Sequence, residues 1–171
     1  MIFPQDARPM PLAGPVPPPP AGRSWEGLMH LALEQAHTGE AQGETPVGAV
    51  LVAPDGTILA DAHNACLALN DPTAHAEILA LRRAAERLGN YRLDGTVLIV
   101  SLEPCLMCAG ALVHARVDGV VYGAADPLAG AVSSRLETFA LPFHNHTVWH
   151  MGGVASEPCA AILRNFFLKR R

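Results

Sequence analysis

The chain has 171 residues, half of them apolar, which is enough to bury one core and argues for one domain rather than two. Its apolar stretches are broken by Gly, Pro or charge well short of the roughly 18 to 20 residues a membrane helix requires, and the N-terminus has none of the parts of a secretory signal. A net charge of −4, from 12 basic and 16 acidic residues, excludes a generally basic nucleic-acid binder, so any RNA-binding surface must be local.

These features lead us to expect a soluble, cytoplasmic protein with no membrane association and reduced cysteines. Residues 1–22 hold most of the prolines, including the run 17–20, and show neither helical nor strand periodicity. A disordered tail is expected there, with the folded domain at 23–171. Ser24 is a natural N-cap for a first helix in which Trp25, Leu28, Met29, Leu31, Ala32 and Ala36 fall on one side, with Gly39 as its stop. The apolar runs 47–53 and 57–62, joined through Pro54-Asp55-Gly56, predict a β-hairpin.

Asp71-Pro72 is expected to open a second helix reaching Leu88, with Ile78, Leu79, Leu81 and Ala85 as packing positions and Gly89-Asn90 as the stop. The β-branched run 96–101 predicts a buried strand, after which Pro104 starts a short helix over 105–115. A strand at 119–123, a weak strand at 147–150 and an amphipathic helix over 156–169 complete the chain. From 96 onward strands alternate with helices, the pattern of parallel strands with helices packed over the sheet. The chain ends with Arg164, Lys169, Arg170 and Arg171, and no acid occurs in 164–171. That end is either a local RNA-binding patch or a solvated basic helix terminus.

Two motifs carry chemistry: His75-Ala76-Glu77 and Pro104-Cys105-Leu106-Met107-Cys108. Zinc takes imidazole and thiolate ligands, and Cys105 and Cys108, three apart, share a helical face. With His75 they make three protein ligands, which leaves the fourth tetrahedral position of a catalytic zinc open. A helix N-terminus favours the thiolate form. His75 and Glu77 point to nearly opposite sides of a regular helix, so they can share a site only if one lies at an irregular helix entry. Cys66 and Cys159 are expected to be buried thiols, and His144 and His146 loop residues. His114 either supports the metal-binding helix or is a satisfied, semi-buried histidine.

In this order the two motifs form the known signature of zinc nucleobase deaminases. Over about 24–171 the chain resembles the bacterial tRNA-specific adenosine deaminases. The matching segments are 45–50, Asn64, 71–77, Asn90-Tyr91-Arg92-Leu93, 103–110 with His114 and Arg116, 121–124 with Asp126, and the closing segment 157–170. The resemblance implies a three-layer α/β/α cytidine deaminase-like fold around a five-stranded mixed sheet and one Zn²⁺ per subunit. It further implies a homodimer that binds a tRNA anticodon stem-loop across both subunits, and hydrolysis of the wobble adenosine to inosine.

By the same resemblance His75, Cys105 and Cys108 would hold the metal and Glu77 would shuttle protons as the catalytic residue. Asn64 would hydrogen-bond the flipped adenosine, Asp126 would lie by the neighbouring nucleotides and Phe167 would contact the anticodon loop. One departure is Leu128, in Pro127-Leu128-Ala129-Gly130, where this family usually has a basic residue. Two rival readings share the zinc motif: a deaminase of free nucleobases or nucleosides, and an inactive zinc-stabilised RNA-binding or partner subunit.

Overall fold

The computed structural model describes residues 16–170; residues 1–15 of the expected tail, and Arg171, lie outside them. In chain order the elements are α1 (Trp25–Ala41), β1 (Gly48–Val52), β2 (Ile58–His63), α2 (Cys66–Leu69), α3 (Ala76–Leu88), β3 (Val97–Leu102), α4 (Leu106–Ala115), β4 (Gly119–Ala124), β5 (Trp149–Gly152) and α5 (Ser156–Leu168). The strands form one five-stranded mixed sheet in the order β2-β1-β3-β4-β5. β1 is antiparallel to both β2 and β3, whereas β3, β4 and β5 run parallel.

Successive side chains of a strand point to opposite faces, and here both faces are apolar. Ala49 and Leu51 of β1, Leu98 and Val100 of β3, and Val120 and Tyr122 of β4 pack with α3 and α4. The alternate residues Val50, Val52, Val97, Ile99 and Val121 pack on the other side with Leu28, Met29 and Ala32 of α1 and Cys159 and Ile162 of α5. The result is the expected three-layer α/β/α arrangement, with the sheet buried between two helical layers. α1 lies so close to β1 that a Cβ on Gly48 would stand 2.0 Å from the Ala32 carbonyl oxygen.

Local chemistry explains the element ends, including those that depart from expectation. Ser24 Oγ accepts from Gly27 N at 3.1 Å, as its N-cap role requires. α1 runs past Gly39 to Ala41, and Gly39 instead lets the helix pack on His63. α3 begins at Ala76 rather than at Pro72, because Asp71 Oδ1 accepts from both Thr73 N and Thr73 Oγ1 and so folds 71–74 into a turn. The preceding stretch holds the short helix α2, which periodicity did not reveal. β5 lies two residues beyond its expected place, and a single 3₁₀ turn, Thr138–Ala140, interrupts the loop before it. At the other end Ala21 N donates to Pro54 O at 3.1 Å and Arg23 Nε to Gly56 O at 2.9 Å, fastening 21–23 to the hairpin turn.

Strand register puts three chain segments at one end of the sheet. Gly48 pairs with His63, Ala49 with Val100, and Leu102 with Ala124. Asn64, the turn 103–105 and the segment 125–126 therefore leave the sheet side by side.

Candidate metal centre

His75 and Cys105 hold equivalent places, each the N-cap of a helix and each with extended backbone (φ −72°, ψ 152° and φ −74°, ψ 173°). Neither side chain caps its own helix, so both are free to turn toward the space between α3 and α4. The irregular entry that His75 and Glu77 need is thus present: His75 precedes the helix, and Glu77 lies in its first turn. Asn64 supplies the cap that His75 does not, accepting from Ala76 N through Oδ1 at 2.8 Å.

His75 Nδ1 is 3.6 Å from Cys108 Sγ and 3.8 Å from Cys105 Sγ. All three donor atoms lie within 4.8 Å of one another, the only such group among the described residues. Tetrahedral zinc with Zn–S of about 2.3 Å and Zn–N of about 2.0–2.1 Å separates nitrogen from sulfur by about 3.6 Å. Donor chemistry and spacing therefore both fit a tetrahedral soft-ligand ion.

The electrostatics point the same way. Cys105 is drawn down to about 4, first by the hydrogen bond with the Cys108 thiol and, against the opposing effect of burial, also by His75. The same contact, with burial, pushes Cys108 up, since two adjacent thiols do not both ionise unaided. A dication between them removes that conflict, because metal-bound thiols are deprotonated outright. Glu77 is 3% exposed, and burial pushes its carboxyl above the ordinary range, partly offset by its own backbone N–H and by His75.

The other expected site residues are distributed as follows. Asn64 is 8% exposed and lies at the start of α3 beside the donors. Asp126 stands at the same end of the sheet, but its Oδ1 accepts from Leu128 N at 2.9 Å and Ala129 N at 3.1 Å, a local loop-forming role. Phe167 is 53% exposed on α5, across the sheet from the donors, and meets Phe166 edge-on at 5.3 Å. The buried aromatic there is Phe166.

The basic chain end is held by its own protein: Arg164 pairs with Glu157, Lys169 with Glu40 at 3.2 Å, and Arg170 donates to Gly43 O at 2.6 Å while lying 4.0 Å over the Phe166 ring. His114 is exposed in the last turn of α4 and lines a groove between α3 and α4, so it does not support the donors. Cys159 is buried, but Cys66 is only half-buried.

Two buried carboxylates escaped the sequence reading. Glu44 accepts from Leu67 N at 2.9 Å and Ala68 N at 2.8 Å, fixing α2. Glu103 accepts from the backbone of 126–134. The one available signal for Glu103 was its place directly before the Pro-Cys motif.

Residues 23–124 match the family described as cytidine and deoxycytidylate deaminase zinc-binding region. The chain is 48% identical over 146 residues to the tRNA-specific adenosine deaminase of Haemophilus influenzae, covering 85% of this chain and 84% of that one. It is 46% identical over 144 residues to the tRNA-specific adenosine deaminase of Agrobacterium fabrum, covering 84% of this chain and 94% of that one. A solved structure from work on A-to-I editing by tRNA:A34 deaminases at the wobble position of transfer RNA superimposes with a TM-score of 0.77. It is 46% identical and is covered over 98% of its length by 80% of this chain.

Proposed function

The chain belongs to the tRNA-specific adenosine deaminases, hydrolytic enzymes of the zinc-binding deaminase family, and on that basis we propose that it converts the wobble adenosine of a tRNA anticodon to inosine. The observation that carries the reading is a buried carboxylate, Glu77, in the first turn of the helix whose N-cap, His75, joins Cys105 and Cys108 in a three-donor metal group. His75, Cys105 and Cys108 are the proposed ligands of one Zn²⁺ per subunit. When bound there, zinc supplies a water acidic enough to act as a nucleophile near neutral pH.

Glu77 handles the protons. Its burial raises its proton affinity, so it can take a proton from water and deliver it to N1 of adenine as oxygen adds at C6. It then takes the second proton from that new C6 hydroxyl and passes it to the amino group, which departs as ammonia while the C6 carbonyl of inosine forms. Asn64 has its carbonyl oxygen committed to Ala76 N, so what it offers the purine is its Nδ2 amide as a donor. An anticodon loop suits such a site because an unpaired nucleotide costs less to extrude than a paired one. Asp126 and Phe167 are proposed RNA contacts, Phe167 through its exposed ring.

The active form is proposed to be a homodimer. Ile78, Leu81, Ala85, Tyr91 and Ala111 line an apolar groove of about 450 Å³ between α3 and α4, and Tyr91 is exposed beside it, the kind of surface a second subunit covers. The folded deaminase domain is taken as 23–171, with the proline-rich stretch outside it. No helix among the described residues is long and apolar enough to cross a membrane, and the cytoplasm, which holds tRNA and keeps thiols reduced, is the proposed location.

The deciding experiment incubates the protein with total tRNA and with free nucleosides, each with and without a chelator, and sequences the wobble position, where inosine reads as guanosine. Chelator-sensitive inosine in tRNA alone is the expected result. Deamination of free nucleosides alone would favour the free-base reading, and no product from zinc-loaded protein would favour an inactive subunit.

A further inference from the structure

Glu103 is 2% exposed, yet its carboxylate accepts from five donors and forms no ion pair among the described residues. Oε1 accepts from Val132 N at 3.2 Å, Ser133 N at 2.7 Å and Ser134 N at 2.9 Å; Oε2 accepts from Asp126 N at 3.0 Å and from Ser134 Oγ. An ionised carboxylate is the one side chain that accepts in all these directions and donates in none. The loop 126–134 is folded around it.

Further bonds tie the same loop to the turn that carries Cys105. Ala131 N donates to Pro104 O at 2.9 Å, and Cys105 forms an isolated antiparallel bridge with Gly130. Gly130 can be nothing larger, since a Cβ there would stand 2.4 Å from Glu103 Cδ and 2.6 Å from Asp126 O. The far side of the loop carries Leu128, 85% exposed, and the Asp126 carboxylate that closes the loop tip. A single exposed leucine is ordinary on a protein surface; what sets Leu128 apart is its place on a loop fastened to the turn that carries Cys105.

We propose that Glu103 is a positioning residue: it locks the 126–134 loop to the Cys105 turn, so that Leu128 and Asp126 are held rigidly beside the metal centre to meet the nucleotides flanking the target. The proposal rests on the tRNA reading above. On a pre-formed wall of this kind substrate binding loses little to loop ordering, and Leu128 contributes apolar contact with a base or ribose rather than a phosphate ion pair.

Glu103→Gln tests it, because the amide keeps the shape but turns a donor toward backbone N–H groups that need an acceptor. With an anticodon stem-loop substrate, KM is expected to rise about tenfold with kcat changed by less than about threefold, since what is lost is positioning of bound RNA rather than proton transfer. Zinc content is expected to stay at the wild-type level, and amide exchange to accelerate at 126 and 132–134 while α3 and α4 stay protected. The exchange result stands even if the wild-type protein makes no inosine, which separates failure of this proposal from failure of the tRNA reading.

Zinc loss with an equal fall in kcat at constant KM would show that Glu103 serves the metal turn alone, and unchanged exchange in the loop would equally overturn the proposal. If Glu103→Gln does not fold, Ser134→Ala removes a single donor, and a KM rise of about threefold with zinc retained is expected from the loss of that one contact. An unchanged KM there would also overturn it.

Discussion

Ala76 N donates to Asn64 Oδ1 at 2.8 Å, so the residue that follows β2 caps the helix that begins beside the metal centre. His75 occupies the N-cap position itself, but its imidazole faces the two thiols. The two halves of the Asn64 amide thus have separate duties. Asn64→Ala is expected to lose about 1 kcal/mol of stability together with turnover, as for other lost helix caps. Asn64→Asp keeps the acceptor and favours the helix dipole, so its denaturation midpoint should match wild type while inosine formation is lost with the Nδ2 donor.

Glu77 makes no contribution to the three-donor group, so its removal separates binding of metal from chemistry. Glu77→Ala is expected to retain wild-type zinc content by elemental analysis and to lose about 10²- to 10⁴-fold or more in kcat, the usual contribution of a general acid/base. Zinc-loaded Glu77→Ala with near-normal turnover would remove the carboxylate from the mechanism.

His150, half-buried on β5, has its pKa lowered by burial, against the opposing charges of Glu137 and Glu103. A histidine whose folded pKa lies below the unfolded value of about 6.5 binds fewer protons when folded, so stability is present above that value and is lost as pH falls toward the folded pKa. His63, lowered first by burial and then by Arg83, acts in the same direction. Thermal midpoints measured from pH 7.5 to 5 should therefore fall. His150→Phe should show a shallower fall than wild type in the same buffers.

The adjacent aromatics of α5 should behave oppositely. Phe166 is buried, so Phe166→Ala is expected to cost about 3–5 kcal/mol of stability. Phe167 is exposed, so Phe167→Ala should leave the unfolding midpoint in place and weaken stem-loop binding by about 1–3 kcal/mol, the range for a base stacked on an aromatic ring.

Lys169 and Arg170 already have acceptors in Glu40 and Gly43 O. Replacing both with Ala should cost up to about 1 kcal/mol of stability, as for other exposed pairs. It should change the slope of log K against log salt by less than the roughly two units that two free phosphate contacts would give.

What could be read in the sequence was whatever depends on neighbours along the chain. The continuous apolar runs of β1, β3 and β4, the Ser24 cap and the Pro104 helix start are local, and they appear where expected. The three-residue group that could hold a metal was legible because His75 and Cys105 each begin a helix after a turn. Asp71-Pro72 misled because Asp71 spends its side chain on Thr73, making a turn where a helix start was expected. Glu44 and Glu103 could not be read, since their partners lie 23 or more residues away and, apart from the Ser134 hydroxyl, are backbone amides, which carry no sequence signal. Likewise the basic residues that follow α5 look free in sequence, and only folding brings Lys169 to Glu40, 129 positions earlier.

The central claim is that His75, Cys105 and Cys108 hold one metal ion whose remaining position is open to water beside Glu77. X-ray absorption at the zinc edge of the purified protein tests it most directly. The expected shell has two sulfurs at about 2.3 Å, one imidazole nitrogen at about 2.0–2.1 Å and one further light atom. A third sulfur, a second imidazole, or protein without stoichiometric zinc would contradict the account.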